Sequence, residues 1–174
     1  MGRKFRYIFL VRYRLCQPGD FESLYAIEEA CFKPPLRFPR SYIRRLASSA
    51  AAATWVAEDN GRIAGFAIVE WSSHACGAVA YIQTIEVDRR HRERGIGSEL
   101  LRRMEFSARQ AGAVLIWLHV EAENGKAIRL YERHGYRLEG KEENYYAQSR
   151  DALLYVKRLS EDADRNRTAF SGST

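Results

Sequence analysis

Apolar and polar positions alternate along this chain with two periods, two and about three and a half, and the changes between them mark the elements. Residues 7–15 read as a strand. Pro18-Gly19-Asp20 forms a turn, and Asp20 is placed to cap a helix in which Phe21, Leu24, Ile27 and Cys31 recur at helical spacing. The segment CFKPPLRFPR ends that helix with its prolines, and Ser41 is placed to cap a second, short helix through Leu46. Residues 53–58 and 62–71 read as strands joined by Asp59-Asn60-Gly61, a strong hairpin signal. Residues 78–88 read as a third strand of this run. From Gly95 to Ala111, Ile96, Leu100, Met104 and Ala108 share a helix face, and Gly112 stops it. Ala113–Val120 is almost continuously apolar, which predicts a strand covered on both faces. Asn124 is placed to cap a further helix carrying Ala127, Ile128 and Tyr131, which Gly135 ends. Two last strands, near 136–140 and 152–158, flank a polar loop containing Tyr145 and Tyr146. No internal repeat is visible. The order strand, two helices, three strands, helix, strand, helix, two strands predicts an α/β fold with helices packed on a mixed sheet.

Composition bounds this picture. A chain of 174 residues, 46% hydrophobic and 29% charged, fits one folded domain, expected over 1–159, with 160–174 expected as a disordered tail. No apolar run reaches membrane-spanning length. The basic and apolar start is broken by Arg12 and Arg14, unlike a secretory signal, and Arg6 spoils a myristoylation pattern, so a cytoplasmic location is expected. Cys16, Cys31 and Cys76 form no CxxC pair, and His74, His91, His119 and His134 lack metal-ligand spacing, so reduced thiols and no metal site are expected. His91 and His134 read as surface residues, and Trp55, Trp71 and Trp117 as core. The net charge is +6, and seven arginines against four acids between Asp88 and Arg109 carry half of it. Charge gathered beside glycines favours a compact phosphate-bearing ligand over a long polymer, and no specific nucleic-acid motif is seen.

Two stretches carry chemistry. In VDRRHRERGIGSELL, Val87 to Leu101, a strand gives way to an arginine-rich loop and a helix opening at Gly95-Ile96-Gly97. Free backbone N–H groups and the helix dipole attract anions there, and glycine admits a pyrophosphate to the backbone. A plain capped helix with a solvated basic turn explains the same residues. The spacing lacks the third glycine of a dinucleotide fingerprint and the GKS/T of a Walker loop. The second stretch is LHVEAENGKAIRLYERHGY, Leu118 to Tyr136.

Together, Arg92, Gly95 and Gly97, followed by N-x-x-A-I-x-L-Y-E-x-x-G-Y from Asn124 to Tyr136, resemble the GNAT superfamily of acetyl-coenzyme A-dependent N-acetyltransferases. The element order agrees over residues 10–159. The stretches IEEACFKPP, Tyr145-Tyr146 and DALLYVKRL resemble protein N-alpha-acetyltransferases, among them RimI-like ribosomal-protein-alanine enzymes and archaeal and eukaryotic N-terminal acetyltransferases. YIQTIEVDRRHRERGIG and LHVEAENGKAIRLYE are similar to the eukaryotic type, with a Tyr on one central strand and a His on the next.

The resemblance implies a mostly antiparallel mixed sheet of about seven strands flanked by about four helices, with acetyl-coenzyme A as co-substrate. Backbone at Ile85, Glu86 and Val87 would pair with the pantetheine arm. Arg92, Glu93, Arg94, Gly95, Ile96, Gly97 and Ser98 would cradle the pyrophosphate, Arg92 and Arg94 neutralising phosphates. Asn124 and Ala127 would contact the pantetheine, and Tyr131 would stand near the thioester sulfur. His119 takes the place where RimI-like enzymes usually carry Glu, and it would act as base with Tyr81 beside it. Phe32, Pro34, Tyr145 and Tyr146 would wall the acceptor site. The acceptor implied is a protein or peptide N-terminus, a ribosomal protein among the candidates, with no membrane partner.

Elementary chemistry fits these roles, because an amine must be uncharged to attack a thioester. About one α-amine in ten is neutral at pH 7, against about one lysine in 2,500. Histidine suits the first case as base, and a Tyr hydroxyl suits the leaving thiolate. No cysteine lies in the motifs, which favours direct attack in a ternary complex. Plainer readings stand beside these. Tyr131 and His119 also fit a core aromatic and a satisfied core histidine, Tyr145 and Tyr146 a strand-edge pair, and residues 32–38 an ordinary loop. Tyr81 shares a strand face with Gln83 and Ile85 unless a bulge intervenes. Glu86 then points the other way, where it could meet substrate or be solvated, and the solvated reading is favoured. The rival functions are a GNAT for small amines, for which a cluster of acids near the acceptor region is expected and not seen, one for protein lysines, and a non-catalytic acetyl-coenzyme A-binding module.

Overall fold

The computed structural model describes residues 11–34, 36–75 and 77–159. The expected tail at 160–174 and the start of the first expected strand lie outside them. The helices and strands of the described residues follow in the order β1 Arg12–Leu15, α1 Phe21–Cys31, α2 Arg40–Ala47, β2 Ala52–Asp59, β3 Arg62–His74, β4 Gly77–Val87, α3 Ile96–Gln110, β5 Ala113–Glu121, α4 Gly125–Arg133, β6 Arg137–Ala147 and β7 Arg150–Arg158. They build one seven-stranded sheet in the order β1-β2-β3-β4-β5-β7-β6. Among these strands only the β4–β5 pair is parallel; every other neighbouring pair is antiparallel. The mixed, mostly antiparallel sheet with four helices is the architecture expected from the sequence.

Both faces of the sheet are covered. On one, Leu100, Leu101 and Met104 of α3 and Tyr131 of α4 pack against Ala67, Val69, Ala80, Ile82, Ile116 and Leu118. On the other, Leu24 and Ile27 of α1 and Ile43 and Leu46 of α2 pack against Val56, Phe66 and Ile68. This apolar burial is the main favourable term holding the layers together. The β2–β3 hairpin turns through Asn60 and Gly61, both at positive φ (51° and 74°), as a two-residue turn matched to strand twist requires.

Three features of the fold differ from the expectation and reshape the site. First, Ile68 pairs with Thr84 and Val69 with Ile82, so Gln83 is an extra residue in β4. This bulge reverses the alternation beyond it. Ile85 and Val87 join the α3 side of the sheet, while Glu86, like Tyr81, lies on the α1–α2 side. Second, Tyr145 and Tyr146 sit in a long strand, not in a loop; β6 is so exposed that it shows no alternation of burial. Third, β5 is not covered equally on both faces. Ile116, Leu118 and Val120 are buried, whereas Trp117 and His119 are half-buried because their face meets the candidate site. Smaller differences lie at caps. α2 begins at Arg40, one residue before Ser41, and the Asp20 carboxylate binds Arg14 and the Gln17 N–H rather than its helix.

Candidate active site

The parallel β4–β5 pairing runs only from Ala78–Ala113 to Tyr81–Trp117. Beyond it the strands part: β4 continues beside β3 through Val87, and β5 beside β7 through Glu121. The divergence leaves a cleft whose walls are strand edges, with backbone N–H and C=O groups able to pair with an extended, amide-bearing arm. At the head of this cleft stands the N-terminus of α3. Gly95 caps it with φ of 80°, and Glu93 just before it also lies at positive φ, 63°. First-turn N–H groups at a helix start have no intrahelical partner, so this turn offers donors to a phosphate. An arm of amides ending in a pyrophosphate fits this cleft and turn.

The side chains around the turn are engaged differently from the expectation. Arg94 donates to the buried Asp59 carboxylate at 2.8 Å, so its side chain anchors the loop to the β2–β3 hairpin. Arg92 donates from Nε to the Val87 carbonyl at 3.0 Å and reaches the Cys31 sulfur at 3.5 Å. His91, expected at the surface, is half-buried between Asp59 (3.5 Å) and Asp88 (3.4 Å). Glu93 and Lys126 pair across the exposed rim. A Cβ on Gly97 would lie 3.6 Å from Leu130 Cδ2, an ordinary contact, so this glycine faces the α4 packing. Asn124 caps α4 as expected, its Oδ1 accepting from the Ala127 N–H at 3.2 Å.

Where the strands part, the aromatic residues of the motifs meet. Tyr81 from β4 and His119 from β5 lie on the same face, hydroxyl to Nδ1 at 3.3 Å. The other ring nitrogen, Nε2, is 3.1 Å from Glu142 Oε1 on β6. A carboxylate only accepts, so the network assigns the proton to Nε2 and makes Nδ1 the acceptor of the Tyr81 hydroxyl. Tyr145 stacks on the His119 ring at 4.3 Å, and Trp117 meets Tyr81 at 4.5 Å. Tyr146 packs edge-on to Tyr145 at 4.9 Å. Burial, and then Tyr145, hold the Tyr81 hydroxyl well above the usual tyrosine range, so it stays protonated.

Tyr131 approaches from the opposite face of the sheet, on α4. It is 7% exposed, and its ring packs on Tyr136. Burial raises its hydroxyl above the ordinary range, with Tyr146 adding to the effect. Phe32 is half-buried at the end of α1, and Pro34 is exposed just beyond it.

The structure thus gathers Tyr81, His119, Tyr145 and Tyr146, holds Tyr131 on the other face of the sheet, and places Ile85–Val87 and Gly95–Ser98 beside the parting strands. Several participants had no signal in the sequence. Glu142 reaches His119 only through the β6–β7–β5 register. Gln83 at the bulge donates to Glu70 at 2.8 Å and accepts from the Tyr42 hydroxyl at 3.0 Å, tying α2 to β4. Trp117, expected in the core, lines the site. Glu70 and Glu142 also bring carboxylates to a region expected to lack them. Among the described residues, no group of three His, Cys, Asp or Glu side chains has a metal-binding arrangement, and no helix is long and apolar enough to cross a membrane.

Known proteins resemble this chain in sequence and fold. The acetyltransferase (GNAT) family matches residues 21–136. An uncharacterised N-acetyltransferase of Methanocaldococcus jannaschii is 31% identical over 142 residues, covering 80% of this chain and 86% of its own length. The NAA10 catalytic subunit of the N-terminal acetyltransferase A complex of Arabidopsis thaliana is 34% identical over 108 residues, 60% of this chain and 56% of its own. A streptothricin acetyltransferase of Streptomyces lavendulae is 39% identical over 87 residues, 50% of this chain and 45% of its own, so the chain spans about half of these last two. Among solved structures, Arabidopsis thaliana NAA60 with a bisubstrate analogue superposes with a TM-score of 0.75 at 24% identity, covering 86% of this chain and 98% of its own. The Escherichia coli ribosomal-protein-S18-alanine N-acetyltransferase does so with a TM-score of 0.75 at 23% identity, covering 86% and 94%. With its split parallel pair, its phosphate-ready helix start and its matched motifs, the chain belongs to the GNAT family of acetyltransferases and is an acetyl-coenzyme A-dependent acyltransferase.

Proposed function

We propose that this enzyme acetylates the N-terminal α-amino group of protein chains. The observation that carries the proposal is the line Tyr81–His119–Glu142 on one side of the cleft, with Tyr131 on the other. The thioester carbonyl sits between them. The neutral α-amine attacks it, a C–N bond forms, and the C–S bond breaks. The amine proton leaves through the Tyr81 hydroxyl to His119 Nδ1, and Glu142 on Nε2 stabilises the resulting imidazolium. Tyr131, kept protonated by burial, hydrogen-bonds the departing thiolate.

The backbone of Ile85, Glu86 and Val87 binds the pantetheine, with Asn124 and Ala127 on the α4 wall. The turn Arg92–Ser98 receives the pyrophosphate on its N–H groups. Phe32, Pro34, Tyr145 and Tyr146 border the acceptor path. A mildly basic relay of this kind suits an α-amine, about a tenth of which is already neutral at pH 7. The net charge of +6 favours recruitment to ribosomes, where N-termini emerge, and a ribosomal protein is one such acceptor. Cys16 and Cys31 are free thiols, in keeping with a cytoplasmic setting.

A second reading has its own support: Glu70 and Glu142 near the site and the streptothricin acetyltransferase relative fit a small cationic amine. Labelled acetyl-coenzyme A offered with a panel of free N-terminal peptides, a polyamine and an aminated antibiotic decides between them. The proposal expects the largest kcat/KM on a peptide; turnover of the small amines alone rejects it.

A further inference from the structure

Glu28 on α1 and Glu86 on β4 are 0% and 2% exposed. The other deeply buried acids have cations: Asp59 has Arg94, and Glu105 has Lys157. Glu28 and Glu86 instead have each other. One oxygen of each carboxyl is satisfied. Glu28 Oε1 accepts from the Phe38 N–H at 2.7 Å, and Glu86 Oε1 accepts from the Thr84 hydroxyl at 2.8 Å. The second oxygen of each, Oε2, is buried without a partner. Glu28 on α1 and Glu86 on the α1-facing side of β4 are neighbours, and after burial Glu28 is what most raises the Glu86 carboxyl. Two buried carboxylates in contact cannot both be ionised without a large cost. One proton between them removes the repulsion and satisfies both orphan oxygens.

We infer that Glu86 is a neutral carboxylic acid that donates to the Glu28 carboxylate, and that this bond clamps Phe38, at the end of the proposed acceptor wall, to the strand lining the acetyl-coenzyme A cleft. The chain of contacts is short. Glu28 holds the Phe38 N–H, the Phe38 ring packs on Tyr42 at 5.0 Å, and Tyr42 donates to Gln83 at the β4 bulge. Glu86 lies three residues further along the same strand, on the same face. Glu28 is therefore a positioning residue for the acceptor wall, a role that rests on the proposed reading of that wall.

The groups facing the pair are few. Cys31 of α1 adds to the push on Glu86, and burial holds the Cys31 thiol above its usual range, hence neutral. Thr84 donates from β4. Arg92 turns its guanidinium to Cys31 and the Val87 carbonyl. Burial and Glu28 hold the Glu86 carboxyl well above the ordinary carboxylate range. A carboxyl with a raised folded-state pKa gives stability that is whole below the unfolded value of about 4.3 and is lost as pH rises through the folded value.

The proton can be read directly. Infrared spectroscopy at pH 7 should show a protonated carboxylic C=O band in the wild type that is missing in Glu86→Gln, and the pH-dependent fall of Tm above the carboxylate range should be shallower in that variant. Absence of the band in the wild type, or its survival in Glu86→Gln, overturns the inference. Kinetics then reads the clamp. Glu28→Ala should raise the acceptor KM by about tenfold, the scale of one lost hydrogen bond to a charged group, with acetyl-coenzyme A affinity unchanged. Glu28→Gln, which can still accept from Phe38 and donate to Glu86, should restore the acceptor KM. An unchanged KM in Glu28→Ala, or no rescue by Gln, overturns the clamp. Should Glu28→Ala fail to fold, Glu28→Gln with wild-type KM supports the clamp, and Glu28→Gln with a tenfold rise overturns it. Failure of every peptide as acceptor would reject the N-terminal reading, while the infrared band would still decide whether the pair shares a proton.

Discussion

Replacing Tyr131 by Phe separates catalysis from packing in one atom. The ring is buried on α4 against Tyr136, and Phe keeps that contact. Among the described residues, no hydrogen bond joins the Tyr131 hydroxyl to another protein group. Deleting an unpaired polar atom sacrifices no bond, so stability should change by less than about 0.5 kcal/mol. If the hydroxyl serves the leaving thiolate, its removal costs a general-acid contribution of about 10²- to 10⁴-fold in kcat, or about 3–5 kcal/mol of barrier. Burial keeps the hydroxyl protonated across the assay range, so variant and wild type should share the alkaline limb of the pH profile. The assay is single-turnover release of coenzyme A thiol at saturating acetyl-coenzyme A, which isolates chemistry from product release, beside a Tm measurement. Wild-type single-turnover rates in the folded variant would make Tyr131 a packing residue and refute the reasoning. A large fall in Tm with the fall in rate would refute the claim that the hydroxyl is structurally idle.

Other substitutions test the remaining parts. His119→Ala should abolish or displace the acidic limb of kcat/KM, since the relay through Tyr81 ends on its Nδ1; an unmoved limb places the base elsewhere. Gly95→Ala, at φ of 80°, should cost about 1 kcal/mol in chemical denaturation and weaken acetyl-coenzyme A in calorimetry; unchanged values of both would detach this turn from binding. Gly97→Ala should fold normally, because its Cβ meets Leu130 at 3.6 Å, whereas Gly97→Val crowds the turn and should lose acetyl-coenzyme A affinity. Arg94→Ala leaves the buried Asp59 without its 2.8 Å partner and should cost about 1–3 kcal/mol of stability in urea unfolding.

Much of the sheet and helix order was legible because the apolar periods are local. The α3 face of Ile96, Leu100, Met104 and Ala108 and the Asn60-Gly61 turn were plain from residues within a few positions of one another. The anion-ready helix start and the Asn124 cap were legible for the same reason. What stayed hidden depends on registers between distant strands. The Gln83 bulge is an offset between β3 and β4, and no sequence window contains both. Without it Glu86 would share the face of Ile82 under α3; with it, the residue lies under α1 beside Glu28. Glu142 meets His119 only because β6 reaches β5 through β7. The strand holding Tyr145 and Tyr146 passed for a loop because an exposed edge strand with polar residues on both faces carries no period-two signal. Arg94 read as a phosphate ligand because its charge is visible in the sequence and the buried Asp59 that engages it is thirty-five positions away.

The central claim is that the relay built on Tyr81, His119 and Glu142 serves a chain's α-amine. Two matched peptides test it most directly: one with a free N-terminus and its only lysine acetylated, the other with a blocked N-terminus and its lysine free. The α-amine is more than two pKa units easier to deprotonate, a difference of over a hundredfold in neutral amine at pH 7. The account predicts a kcat/KM for the free N-terminus greater by at least about that factor. Equal rates would contradict it, and preference for the blocked peptide would make the enzyme lysine-directed.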